Sequence, residues 1–120
     1  DMRYQLTLHA DSLEQLLRDS EALDAVLADA AARGLLGGWQ SVTQVLPSAR
    51  TQKTRQARVP ERAVLAANIA AAIDGTPFRA DAFDPFLDAA EAARTAPVLV
   101  AADIEDSRFA RNLRAMWLPT

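Results

Sequence analysis

Few residues in this chain have the types and spacing that chemistry requires. The single histidine, His9, lies on the polar side of an alternating stretch and has no other His or Cys to complete a metal site. It reads as a surface residue at the end of a strand. The acids Asp103 to Asp106, "DIED", cluster, but they lack the glycine and the spacing of a calcium loop. Asp81, Asp84 and Asp88 recur at helical spacing, as paired carboxylates for acid–base work would. The same spacing suits carboxylates that complement the start of a helix and line its solvated face. No G-x-S-x-G, phosphate-loop lysine or G-x-G-x-x-G is present. The residues therefore imply a non-enzymatic protein with no cofactor and no metal.

One stretch stands apart. "PSARTQKTRQARVP", Pro47 to Pro60, carries Arg50, Lys53, Arg55 and Arg58 and no acid. On a helix begun by Ser48, Arg50 and Thr54 share a face, as do Thr51, Arg55 and Arg58, so the cations spread around the axis. No aromatic is interleaved to stack on bases. The segment Asp81 to Asp106 holds seven acids and one arginine, which offers charge complementarity within the chain. The alternative use of the cations is contact with anionic lipid, a partner subunit or an anionic cargo.

The elements that must hold these residues follow from periodicity. "RYQLTLH", Arg3 to His9, places Tyr4, Leu6 and Leu8 on one face and predicts a half-buried strand. Asp11-Ser12, with Glu14 and Gln15 behind them, signal the start of a helix. Leu13, Leu16, Leu17, Leu23, Val26, Leu27 and Ala30 carry it from about Ser12 to Arg33, and Gly34 ends it. "WQSVTQVL", Trp39 to Leu46, predicts a second strand from its β-branched and aromatic content, closed by Pro47. A strand, a long helix and a strand make a crossover or a split βαβ unit.

Helices follow. One runs from Ser48 to Arg58. The next begins near Pro60, turns Leu65, Ile69, Ala72 and Ile73 inward and ends at Gly75. Another starts at Asp84-Pro85 with Phe83, Phe86, Leu87 and Ala90 as its apolar stripe. "APVLVA", Ala96 to Ala101, is a third strand candidate confined by Pro97 to an edge. A last helix after Asp106 carries Phe109, Leu113, Met116 and Trp117. The fold class expected is α+β, with two or three strands and about five helices in a single domain over residues 1–120.

Bulk properties bound the partners. The 120 residues carry a net charge of −3, which argues against a dedicated nucleic-acid binder. Cysteine is absent, so disulfides and thiolate metal sites are excluded and the compartment stays open. Half of the residues are hydrophobic, yet only seven are aromatic. No apolar run reaches the roughly 20 residues of a membrane span. Asp1 stands without an initiator methionine or signal segment, and a part cut from a longer precursor is the expectation.

Three landmarks then fall in order: "GLLGGWQS", "LPSARTQKTRQARVP" and "GTPFRADAFDPFLDAAEAAR". Together they resemble the extracytoplasmic domain of MMPL-type exporters of the RND superfamily, the Gram-negative branch associated with lipid or aryl-polyene pathways. Members show Leu-Pro-Ser, a Thr-Gln after a two-residue gap, a later Arg and then a Pro. The matching positions are Leu46, Pro47, Ser48, Thr51, Gln52, Arg55 and Pro60, and Pro77 to Phe83 matches the segment before the family's next helix. "APVLVAADIEDSRFARNLRAMW" fits only loosely, and Thr120 falls where a further strand is expected.

The resemblance implies a ferredoxin-like porter core with a helical insertion, held in the periplasm by an inner-membrane protein. It implies as partners the transporter's remaining membrane and periplasmic domains and a hydrophobic cargo, and no nucleic acid. An incomplete sheet would leave an edge through which copies could pair. Arg50, Lys53, Arg58, Phe83, Phe86, Phe109 and Trp117 are the candidates for cargo or partner contact. The alternative is a stand-alone α+β protein-interaction module.

Overall fold

The computed structural model describes residues 4–105. Its elements are α1 (Leu13–Ala32), a 3-10 turn at Val42–Gln44, α2 (Ala49–Ala57), α3 (Arg62–Ile73), a 3-10 turn at Ala80–Phe83, α4 (Asp84–Thr95) and the short α5 (Ala101–Glu105). Among the described residues there is no strand, which overturns the expected α+β class and its ferredoxin-like sheet. The described residues therefore include no sheet edge.

Each lost strand has a local cause. Tyr4 to His9 keep the apolar alternation but are exposed throughout, and a strand without a neighbour is not stable in water. In Trp39 to Leu46 the hydroxyls win. Ser41 Oγ accepts from the Thr43 amide at 3.3 Å and starts the 3-10 turn, and such side-chain-to-backbone bonds compete with a ladder. At Ala96 to Ala101, Asp103 reaches back and its Oδ2 accepts from the Val100 amide at 2.8 Å. The Asp103 amide donates to the Val100 carbonyl at 3.0 Å, so the end of the segment becomes the first turn of α5.

Helix boundaries follow the sequence signals. Ser12 Oγ accepts from the Gln15 amide at 3.2 Å and caps α1. Beyond Ala32, Gly34 takes φ 73°, and the Leu35 amide donates to the Ala30 carbonyl at 2.9 Å, closing a glycine C-cap. Gly75, at φ 72°, follows Asp74 at φ −56°, ψ 130°, in the left-handed position of a type II turn after α3. Pro60 lies outside α3, whose N-cap is Glu61, and Pro85 sits in the first turn of α4 behind Asp84.

The described residues fall into two compact units, 4–51 with 99–105, and Gln52–Val98, and the division lies inside α2. In the first, Leu17, Leu46 and Ile104 form the buried core, with Leu13, Val42, Val45 and Ala101 packed around it. Leu87 of α4 is the buried hydrophobe of the second. Leu65, Ile69 and Ile73 are half-buried there, whereas Ala72 is exposed. No helix among the described residues is long and apolar enough to cross a membrane.

Candidate functional site

The most ordered polar constellation joins α1 to the start of α2. Glu14 and Glu21 of α1 lie near one line because seven residues are close to two helical turns, and Asp24 follows about one turn beyond Glu21. Leu17 and Ser20, both buried, lie on the same side. The loop after Trp39 then brings donors to these carboxylates.

Glu21 receives three of them. The Ser48 amide donates to Oε1 at 2.8 Å, and the Ser48 and Thr51 hydroxyls donate to Oε2 at 2.8 Å each. Glu14 receives the next two amides, Ala49 at 2.9 Å on Oε2 and Arg50 at 3.3 Å on Oε1. Ser48 Oγ also accepts from the Thr51 amide at 3.1 Å, as an N-cap does. The open N–H groups that begin α2 are thus met by two carboxylates and a hydroxyl, and the positive end of the helix dipole faces negative charge.

Arg18 Nε donates to Glu14 Oε1 at 3.1 Å, one helical turn away. The Ala49 amide, foremost, then the Arg50 amide and Arg18, hold the Glu14 carboxyl below its ordinary value of 4.5, while desolvation works the other way. Further along α1, Asp24 accepts from Trp39 Nε1 at 2.8 Å and from the Thr43 hydroxyl. Ser20 and Ser41 share a hydroxyl bond of 3.0 Å, and Ser41 meets Thr43 at 2.8 Å. Among the described residues no buried side-chain polar atom lacks a partner.

This arrangement fastens backbone. The carboxylate oxygens of Glu14 and Glu21 all accept hydrogen bonds from the chain itself. Among the described residues no group of three or more His, Cys, Asp or Glu is placed to hold a metal ion. His9 is exposed. The aspartates at helical spacing separate: Asp81 pairs with Arg79 at 2.7 Å, Asp88 pairs with Arg62 at 2.5 Å, and Asp84 lies exposed in the first turn of α4.

The motif residues divide between this joint and the surface. Leu46 is fully buried in the core, Ser48 is fully buried at the cap, and Thr51 is half-buried against Glu21. Pro47 and Gln52 are half-buried, whereas Arg55 and Pro60 are exposed. Arg50, Lys53 and Arg58 are exposed as well. Phe83 is half-buried and meets Phe78 edge-on at 6.4 Å, and Phe86 is exposed. A surface recess beside them is lined by Pro77, Phe78, Arg79, Asp81 and Ala82. Phe109 and Trp117 lie outside the described residues.

Glu21 and Asp24 escape a reading of the sequence because acids on an amphipathic helix are taken for its wet side. Their signal is the shared side with Leu13, Leu17 and Ser20, where polar residues interrupt the apolar stripe. The class defined by these features is a helical chain with a polar joint between α1 and α2. No protein-family model, curated protein or solved structure matches it.

Proposed function

We propose that this chain is the extracytoplasmic portion of an MMPL-type, proton-driven exporter of the RND superfamily. In this reading it stands in the periplasm, belongs to an inner-membrane protein, and guides a hydrophobic cargo, a lipid, a fatty acid or an aryl-polyene-like molecule. Its work is conformational and not catalytic. The observation that carries the reading is the order of the three landmarks, with "LPSARTQ" at its centre. The buried positions of Leu46 and Ser48 support it by giving the motif a physical reason: they build the joint that starts α2. The reading does not depend on a ferredoxin-like sheet.

A second reading is a helical protein-interaction module. It is favoured by large hydrophobics left in water, among them Phe78 at 65% exposure, Phe86 at 54% and Val64 at 50%.

Reading the gene on both sides of this chain separates the two. Apolar spans of about 20 residues on either side, with more downstream, are expected for the exporter. A frame that closes without any span would leave the interaction module.

A further inference from the structure

The exposed side of α2 carries a concentration of charge that the joint with α1 does not use. Ala49, Gln52, Gln56 and Val59 are half-buried and recur at spacings of three and four. They form the inward stripe, and Gln56 Nε2 is held by the Ala96 carbonyl at 2.8 Å. At 3.6 residues per turn the opposite side covers about 200° and holds Arg50, Lys53, Thr54, Arg55 and Ala57, with Arg58 in the turn that follows the helix. All six are exposed. The cations therefore lie along the solvent arc of the helix, with Lys53 and Arg55 near its two edges. The side chains of Lys53, Arg55 and Arg58 form no ion pair or hydrogen bond among the described residues. Of the described acids in the segment from Asp81 to Asp106, Asp88 pairs with Arg62 and Asp81 with Arg79.

We infer that this face of α2 docks on an anionic bilayer surface, through the phosphate groups of its lipid heads. Protein hot spots set Trp, Tyr and Arg in well-packed, desolvated pockets, and "ARTQKTRQA" brings no aromatic or large apolar residue to build one around its arginines. Single-stranded nucleic acid needs aromatic platforms, which are also missing. A plane of fixed negative charge needs neither. Long Lys and Arg stems reach that plane from both flanks of the helix. The net charge of −3 does not prevent docking, because charges more than about 8–10 Å apart are largely screened in physiological salt. The inference stands on the charge of α2 and does not require the exporter reading, which is tested on the gene.

The experiment is flotation of the purified full chain with vesicles of phosphatidylcholine, with and without phosphatidylglycerol. Binding is expected only to the phosphatidylglycerol vesicles, and to weaken as salt rises. Each cation near the surface contributes about fivefold to partitioning, so the triple variant Lys53→Gln, Arg55→Gln, Arg58→Gln is expected to bind about a hundredfold more weakly. Its circular dichroism should match the parent, since the three side chains are exposed and hold no ion pair among the described residues. Arg33→Gln, at a cation already paired with Asp29 on α1, should bind as the parent does. Retention of inorganic phosphate by the chain, with no flotation on washed anionic vesicles, would assign the face to free phosphate and overturn the membrane. Equal binding by the triple variant would overturn it too, as would capture of polyglutamate or an oligonucleotide in place of vesicles.

Discussion

At the scale of single residues, Glu21 is the group whose loss the joint can least absorb. It accepts from the Ser48 amide, the Ser48 hydroxyl and the Thr51 hydroxyl. Glu21→Ala strands donors in a place where Ser48 is fully buried. An unsatisfied buried polar group costs about 1–3 kcal/mol, and that loss is expected in the urea midpoint at constant slope. Glu21→Gln keeps one acceptor oxygen and is expected to lose less.

Glu14 gives the joint an acid limit. Its carboxyl is held below 4.5, so its contribution to stability is fully present above that value. The contribution fades as pH falls through the lowered value in the folded chain, where protonation removes the acceptor for Ala49 and Arg50. Stability measured against pH should decline on the acid side, and Glu14→Gln should flatten that decline while lowering stability at neutral pH.

At the scale of elements, α2 depends on its start. Its sequence is polar, it buries no side chain, and a helix of nine residues is marginal alone. Ser48→Ala removes the cap and one donor to Glu21 together. A loss of about 0.5–2 kcal/mol is expected from the cap, visible as reduced helicity and earlier thermal unfolding. Leu46, two residues upstream, fixes the other side of the joint in the core with Leu17 and Ile104. Leu46→Ala should cost about 2–5 kcal/mol by emptying that site. Phe86 offers the contrast. At 54% exposure, Phe86→Ser is expected to move stability by no more than about 0.5 kcal/mol, and a larger shift by calorimetry would mean that α4 packs there.

For the molecule as a whole, the legible part of the chain was its helices. Ser12, Gly34, Ser48, Gly75 and Pro85 mark starts and stops through bonds made within a few residues, and each operates in the structure. The cations of Pro47 to Pro60 were equally plain, because charge is a property of composition. Strands are another matter. Tyr4, Leu6 and Leu8 alternate as a strand requires, but a strand exists only where distant backbone meets it, and alternation cannot name that partner. The hydroxyls of Ser41 and Thr43 tell a related story: their local bonds start the turn in "WQSVTQVL", and the approach of Asp24 and Ser20 then holds it. The sequence by itself thus determined where helices begin and end and what charge they carry. The tertiary structure alone decided which carboxylates close the start of α2 and which side of that helix meets water, because those choices join residues 20 to 40 positions apart.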